Sequence, residues 1–123
     1  MNQQQGLGRA AEAQAESFLL KQGWSLIERN LKLNWGPERG EIDLLMLDLD
    51  GTVVLVEVKS SAYMGIIGPE ARLNYPKRRK LQALARVIAT QYPESNIRVD
   101  GVTLYLDQAR EWQFKHYQNI TGD

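Results

Sequence analysis

Two apolar segments on either side of a short turn limit what this chain can fold into. Residues 41–47 and 52–59 carry the alternating or continuous apolar pattern of β-strands, and Asp50-Gly51 lies between them. They predict a β-hairpin whose second strand, an almost unbroken apolar run, lies in a sheet covered on both faces. Carboxylates and a lysine interrupt both strands. A buried charge is costly unless it is paired or bound to a metal, so these residues require an explanation.

The length of the turn decides which residues of the hairpin face each other. A two-residue loop would place Glu57 on the face opposite to Asp43, whereas the three-residue loop Leu49-Asp50-Gly51 pairs Asp43 directly with Glu57. We predict the three-residue loop, with Gly51 in the left-handed conformation that such a loop requires. Directly opposed side chains have Cβ atoms about 4.5–5.5 Å apart, close enough for two carboxylates to share one Mg²⁺. Lys59 would emerge on the same face.

Composition excludes several classes of chemistry. The 123 residues include no cysteine and one histidine, His116, which excludes disulfides, thiolate zinc sites and a cysteine nucleophile and leaves little scope for Ser-His catalysis. No apolar run approaches the roughly 20 residues of a membrane span, and the amino terminus lacks the features of a signal peptide. We therefore expect one cytoplasmic domain over residues 1–123, with flexible ends at 1–5 and 121–123 and no membrane partner.

Charge is balanced overall but unevenly distributed. Fifteen basic and fifteen acidic residues give a formal net charge of zero, so the whole chain has no general attraction to nucleic acid. Between residues 75 and 98, however, six basic residues oppose one glutamate. Such a run either neutralises phosphates or forms a solvated helix face. We select Lys77, Arg78 and Lys80, with Arg39 from the segment before the hairpin, as candidate nucleic-acid contacts.

Periodicity and turn residues predict the order of the secondary-structure elements. We predict helices at 8–22 and from Pro76 to about Gln91, loops at 34–40 and 60–74, and strands at 24–31, 41–47, 52–59 and 97–106, with 112–117 as an edge strand or a packed tail. The order helix, three strands, helix, strand predicts an α/β fold with a mixed central sheet flanked by helices (αβββαβ). The crossover through the second helix should be right-handed if its flanking strands are parallel.

Asp43, Glu57 and Lys59 form an Asp…Glu-x-Lys arrangement that resembles the restriction-endonuclease-like superfamily, often written PD-(D/E)xK. A longer series of motifs resembles the YraN-like family of small bacterial endonuclease-related proteins: Gly8-Arg9-Ala10-Ala11-Glu12, Gly23-Trp24, Arg29-Asn30, Gly40-Glu41-Ile42-Asp43-Leu44, Val56-Glu57-Val58-Lys59, Pro69-Glu70, Lys77-Arg78-Arg79-Lys80-Leu81 and Arg98-Val99-Asp100. The resemblance covers roughly residues 6–120. It departs at Ser60-Ser61, where the family usually has Thr/Ala-Arg, so an arginine that could hold a phosphate is missing.

The resemblance implies a restriction-endonuclease-like core, similar to archaeal Holliday junction resolvases, with a nuclease site. Asp43 and Glu57 would ligate Mg²⁺ or Mn²⁺, hard cations that prefer carboxylate oxygens. Lys59 would orient or help to deprotonate the attacking water, or stabilise negative charge in the transition state. Glu12 corresponds to the helical glutamate of resolvase-like relatives and could add a ligand, directly or through water. Glu16 is predicted to lie farther out on the helix than Glu12.

Several of these residues have simpler interpretations. Lys59 could neutralise a neighbouring carboxylate, and Glu12 could be an ordinary acid on a helix surface. Glu41 shares the face of Asp43 by alternation but lies nearer the start of the strand, which favours a structural or hydrogen-bonding role over ligation. Arg98 and Asp100 lie two residues apart on one strand face and most simply form an ion pair.

Three functions remain open on the sequence alone. The first is a Mg²⁺-dependent nuclease that hydrolyses DNA phosphodiester bonds, at branched or damaged structures. The second is a non-catalytic nucleic-acid-binding accessory module that keeps the nuclease fold. The third is a structural or interaction protein whose acidic cluster is a buried ion-pair network. By analogy with resolvase-like relatives, which often dimerise, a homodimer is a further expectation.

Overall fold

The computed structural model describes residues 3–35, 38–61 and 75–122. The elements in this part of the chain are α1 (Gln3–Lys21), β1 (Ser25–Trp35), β2 (Glu38–Leu47), β3 (Val53–Ser61), α2 (Tyr75–Gln91), β4 (Ile97–Leu106) and β5 (Trp112–Tyr117). The strands form one sheet in the order β1-β2-β3-β4-β5, in which β3 and β4 are parallel and the other neighbours antiparallel. This mixed sheet confirms the predicted α/β fold and is consistent with a restriction-endonuclease-like core. Within the described ranges, no helix has the length and apolar character needed to cross a membrane.

Two predicted boundaries differ from the structure. Helix α1 begins at Gln3 rather than Gly8, because the run of glutamines before the glycines favours helix more than two glycines oppose it. Strands β1 and β2 continue to Trp35 and from Glu38, where we predicted a loop. Their backbones pair with each other as far as Trp35 and Glu38, and these cross-strand hydrogen bonds outweigh the low strand propensity of the residues involved.

The sheet has an apolar core on each face. The cluster on the α1 side (the α1-side cluster) comprises Ala11, Ala15, Leu19, Trp24, Leu44, Met46, Val54, Val56, Val58, Val102 and Leu104. The cluster on the α2 side (the α2-side cluster) comprises Leu33, Ile42, Leu45, Val53, Leu55, Leu81, Leu84, Ile88 and Val99. Successive residues of β3 alternate between the two clusters, which confirms that this strand is covered on both faces.

The hairpin has the predicted three-residue loop. Leu44 pairs with Val56 and Leu47 with Val53 in the β2–β3 ladder, and Gly51 has a φ of 84°. The Asp48 side chain completes the turn, since its Oδ1 accepts hydrogen bonds from the backbone N–H groups of residues 50 and 52 at 2.9 Å each. Extended by one position, this register places Asp43 opposite Glu57.

Alternation along β2, by contrast, is not maintained. Regular alternation would place Glu41, Asp43, Leu45 and Leu47 on one face of β2 and Ile42 on the other. Ile42 instead packs in the α2-side cluster together with Leu45. The side chains of β2 therefore change faces between Ile42 and Leu45. This reversal lies beside the point where β2 and β3 separate.

The carboxyl-terminal segment is held against α2. Thr121 is 4% exposed, and its carbonyl oxygen accepts hydrogen bonds from Nη2 of Arg78 at 3.4 Å and from Nε2 of Gln82 at 3.2 Å. We expected residues 121–123 to be flexible, and these contacts hold Thr121 itself against α2. At the other end, residues 3–5 belong to α1.

Gly40 is the position at which β2 passes closest to α2, and it gives a direct test of this packing. A Cβ atom at Gly40 would lie 2.9 Å from Cδ2 of Leu84, which is 2% exposed. We expect Gly40→Ala to lower the free energy of unfolding in urea by about 1–3 kcal/mol, because a closely packed core has no room for an added methyl group. Gly8→Ala is the matched control, since a Cβ there meets no atom within 4 Å. An unchanged Gly40→Ala variant would contradict the packing described.

Candidate active site

A cleft opens where β2 and β3 separate. Beyond the pair Leu44–Val56, the backbone N–H of Val58 donates to Oδ2 of Asp43 at 2.8 Å instead of continuing the ladder. The side chain of Asp43 thus takes the place of a backbone acceptor. The resulting cleft has a volume of about 460 Å³ and lies between the amino-terminal halves of α1 and α2. Its charged lining residues are Glu12, Glu41, Asp43, Glu57, Lys59 and Lys80.

The structure brings the four predicted catalytic residues together, since Glu12, Asp43, Glu57 and Lys59 all line this cleft. They come from three elements: the first half of α1, the middle of β2 and the end of β3. Glu12 is partly buried on the side of α1 that faces the sheet.

The predicted nucleic-acid contacts are more scattered. Lys80 lines the cleft, whereas Arg78, two residues earlier on α2, reaches toward the carboxyl-terminal segment. A two-residue step on a helix is a rotation of about 200°, which explains why these neighbours face different ways. Arg39 is exposed on β2 and is not among the lining residues described, and the side chain of Lys77 lies outside the described residues.

The environment of Asp43 favours its protonated form. Burial is the main cause and the charge of Glu57 the next, and together they raise the pKa of Asp43 to about 7 from an ordinary value of 3.8. The hydrogen bond from the Val58 N–H opposes this shift, as does Lys59 more weakly, while Glu12 adds to it. A bound cation would stabilise the ionised form of Asp43, because it relieves the repulsion between this carboxylate and its neighbours.

The same mutual repulsion reaches α1. Burial raises the pKa of Glu12, the charges of Glu41 and Glu57 raise it further, and Arg9 opposes them. The cleft therefore holds a coupled group of carboxylates rather than separate surface acids.

Lys59 forms an ion pair with Glu57, which lies two residues earlier on β3 and on the same face. Its Nζ lies 3.5 Å from Oε1 of Glu57, whose side chain is 9% exposed against 40% for Lys59. The neutralising role that the sequence left open is thus present. The long contact and the exposure of the ammonium group leave Lys59 able to meet a substrate in the cleft as well.

One glutamate was misjudged from the helical wheel. Glu16 is 8% exposed, not farther out, and its two carboxylate oxygens accept hydrogen bonds from Nε and Nη2 of Arg29 on β1 at 2.5 and 2.8 Å. Glu12 and Glu16 lie one turn apart on the flank of α1 that faces β1. The prediction failed because it considered the apolar face of α1 alone and did not anticipate a cationic partner on β1.

Asn30 is a site residue that the sequence reasoning missed. Oriented so that its nitrogen faces its neighbours, the amide donates to Oε2 of Glu12 at 2.9 Å and to Oε1 of Glu41 at 3.1 Å. Glu41 therefore has a hydrogen-bonding role, as predicted. The available signal was an asparagine, a poor strand former, inside a predicted strand and next to Arg29.

The carboxylates fit a divalent cation held in an open site. Among the residues that the structure describes, no three Asp, Glu or His side chains converge closely enough to enclose an ion alone. Mg²⁺ does not need such a cage, because proteins commonly hold it through one or two carboxylates, with waters and substrate phosphates completing the shell. Asp43 and Glu57 match this requirement. The charge of Glu57 raises the pKa of Asp43, as expected for neighbouring ligands.

A second polar cluster lies on β4 and β5 and includes Asp48 of the β2–β3 turn. Asp100 is 0% exposed and accepts hydrogen bonds from Arg98 at 2.8 and 3.0 Å, from Nε2 of His116 at 2.8 Å and from the backbone of Asn119 at 3.0 Å. Arg98 also donates to Oδ2 of Asp48 at 3.0 Å. The predicted Arg98–Asp100 ion pair is confirmed, and its surroundings give it a structural role apart from the cleft.

Comparison with known proteins places these motifs in a wider group. The profile of uncharacterised protein family UPF0102 matches residues 11–104. A UPF0102 protein of Clavibacter michiganensis is 38% identical over 104 residues, which cover 83% of this chain and 84% of the relative. One from Pseudomonas syringae pv. syringae is 40% identical over 103 residues, 81% and 80% of the two chains. One from Desulforamulus reducens is 28% identical over 121 residues, 95% and 96% of the two chains. The names of these relatives state no activity.

Proposed function

Since this chain belongs to the uncharacterised protein family UPF0102, the group suggested by its motifs, we propose a function from the chemistry of its cleft. We propose that the protein is a Mg²⁺- or Mn²⁺-dependent nuclease that hydrolyses phosphodiester bonds in DNA. The observation that carries the proposal is the convergence of Glu12, Asp43, Glu57 and Lys59 in one partly buried cleft.

The carboxylates would hold the cation. Asp43 is oriented by the Val58 N–H on Oδ2, and in the β2–β3 register it lies opposite Glu57. Glu12 lines the cleft from α1 and would reach the cation through a water, since no three carboxylates of the described residues lie close enough together to enclose it. A bound divalent cation supplies a more acidic water and neutralises charge on the phosphate.

The two lysines of the cleft would act on the phosphate. Lys59, whose Nζ is 3.5 Å from Glu57, is placed to orient the attacking water or to stabilise negative charge that develops on the phosphate oxygens. Lys80 comes from α2, on the other wall of the cleft, and would hold another phosphate of the DNA strand that is cleaved. Cations of this kind position the backbone and read no sequence, so we expect structure rather than sequence to select the substrate.

The second candidate is a non-catalytic nucleic-acid-binding module. It is favoured by the small number of cations that line the cleft among the described residues, and by the serine pair Ser60-Ser61, which stands where the family resemblance leads us to expect an arginine. This candidate keeps the metal site and the fold but has no turnover of its own.

Lys59→Ala separates binding from catalysis. We expect wild type to be stabilised against heat by Mg²⁺ and Mn²⁺ and to nick at least one member of a panel of junction, flap, duplex and single-stranded DNA. Lys59→Ala should keep the metal-dependent stabilisation and lose cleavage by about 10²–10⁴-fold, the usual contribution of a positioned acid–base group. Lys21→Ala, an exposed lysine at the end of α1, is the control and should cleave like wild type.

Each outcome discriminates between the candidates. Metal-dependent stabilisation without cleavage of any substrate would support the accessory module. A wild-type protein whose melting temperature ignores both cations would contradict the metal site itself.

A further inference from the structure

Strand β1 turns over at one residue. Arg29 contacts Glu16 of α1, whereas Leu31 packs against the α2-side cluster. Residues two apart on a regular strand share a face, so the strand reverses between them. The residue between them is Asn30, whose φ of 51° is left-handed. Few residues other than glycine adopt this conformation, and asparagine is one that does so.

Strand β2 turns over at the same level. Leu44, the partner of Arg29, belongs to the α1-side cluster, and Ile42, the partner of Leu31, belongs to the α2-side cluster. The residue between Leu44 and Ile42 is Asp43, which therefore lies opposite Asn30. Both strands reverse together, and the reversal coincides with the point where Asp43 enters the cleft.

The side-chain amide of Asn30, on β1, contacts the carboxylates of Glu12 and Glu41. In the orientation that turns its nitrogen toward both carboxylates, the amide donates one hydrogen to Oε2 of Glu12 at 2.9 Å and the other to Oε1 of Glu41 at 3.1 Å. A single neutral group thus holds a helix carboxylate and a strand carboxylate that would otherwise repel each other. The orientation of Glu12 at the wall of the cleft follows from this contact.

We propose that Asn30 is the positioning residue of the metal centre. Its left-handed backbone turns β1 and β2 over so that Asp43 faces the cleft, and its amide fixes the carboxylate of Glu12 beside it. The inference rests on the proposed function, because it assumes that these carboxylates hold a divalent cation.

Asn30→Gly separates the amide from the backbone. Glycine accepts a positive φ without strain, so the reversal of both strands should persist and the melting temperature of the metal-free protein should stay close to that of wild type. Loss of the amide should weaken Mn²⁺ binding about tenfold or more, measured by calorimetric titration with Mn²⁺ alone, as is usual when a partner of a metal ligand is removed. Asn30→Ala should also lower the melting temperature, because alanine disfavours the left-handed backbone.

Asn119→Gly is the matched control. Asn119 is also an asparagine with a left-handed backbone, φ 55°, and the hydrogen bond from its backbone N–H to Asp100 survives the substitution. The Mn²⁺ affinity of the Asn119→Gly variant should equal that of the wild-type protein. If Asn30→Gly binds Mn²⁺ within about twofold of wild type, the inference is overturned while the proposed function stands. If wild type itself binds no Mn²⁺, the proposed function falls, and the inference with it.

Discussion

Asp43→Asn is expected to stabilise the metal-free protein at about pH 8 and to abolish its response to Mg²⁺ and Mn²⁺. Burial and the charge of Glu57 raise the pKa of Asp43 to about 7 from 3.8, so the ionised form that prevails at about pH 8 is unfavourable in the folded state. Asparagine removes the charge, and its carbonyl oxygen can still accept the Val58 N–H. At about 1.4 kcal/mol for each pKa unit, the relief is at most about 4 kcal/mol.

The effect should vary with pH in one direction. A raised pKa means that the folded state binds the proton of Asp43 more tightly than the unfolded state does, so this group favours folding most below pH 3.8. Its contribution is lost as the pH rises through about 7. The variant should therefore match wild type near the acid end and exceed it increasingly up to about pH 8, in urea unfolding with a chelator present.

Asp50→Asn provides the control for this measurement. Asp50 is an exposed carboxylate in the turn of the same hairpin, and its removal should leave the pH dependence unchanged. An Asp43→Asn variant that is less stable than wild type at about pH 8 would mean that the ionised carboxylate is one half of a buried ion pair. That result would favour the structural alternative over a metal site.

The register of the hairpin was predictable because local chemistry determines it. Gly51 supplies the left-handed residue that a three-residue loop needs, and the period of two along a strand then fixes which side chains are opposed. This local chemistry is sufficient to predict that Asp43 and Glu57 lie near each other on neighbouring strands. The order of elements followed from periodicity in the same way.

The turning over of β1 and β2 was not predictable from the same rules. Alternation assumes a regular strand, and a left-handed residue breaks it. Asn30 tolerates that conformation but does not demand it, so an asparagine within a predicted strand indicates an irregularity without determining how the strand turns. Ile42 packs in the α2-side cluster for this reason, on the face that regular alternation would not give it. Glu16 was misjudged because its partner, Arg29, belongs to another element.

The basic run of α2 shows a related limit. A count of charges indicates that phosphate contact is feasible, but the helical period distributes neighbouring cations around the axis. Lys80 faces the cleft because Leu81 and Leu84 beside it pack on the sheet. Arg78 is directed to the carboxyl-terminal segment, a contact between distant parts of the chain that periodicity does not reveal.

Asp100→Asn is expected to have the opposite effect on stability from Asp43→Asn, although both substitutions remove a buried carboxylate. Every contact to Asp100 is a donor: Oδ1 accepts from Nε of Arg98 and from the Asn119 N–H, and Oδ2 accepts from Nη2 of Arg98 and from Nε2 of His116. In place of Oδ1, the NH₂ group of an asparagine faces two N–H donors; in place of Oδ2, it faces Nη2 of Arg98, and His116 could accept from it only after a change of tautomer. The guanidinium of Arg98 also loses the nearer of its two carboxylates.

We expect Asp100→Asn to lower the free energy of unfolding by about 3–5 kcal/mol, the usual cost of leaving one partner of a buried ion pair uncompensated. Burial alone would raise the pKa of Asp100, but the hydrogen bonds from His116, Arg98 and the Asn119 backbone lower it below its ordinary value of 3.8. The stabilisation that Asp100 provides is therefore complete above this pH and is lost as the pH falls through the lowered pKa. The difference between wild type and variant should shrink only in strong acid.

Together, the two substitutions distinguish a metal-binding site from a structural ion-pair network. Repulsion between carboxylates in the cleft makes loss of Asp43 favourable for the metal-free fold, whereas four donors around Asp100 make its loss unfavourable at every pH above the acid range. Urea unfolding of both variants at about pH 8, with and without Mn²⁺, measures this contrast. A stable Asp100→Asn variant would show that Arg98 is held by Asp48 alone. Equal destabilisation by both variants would mean that the cleft, like the second cluster, is an ion-pair network that needs no metal.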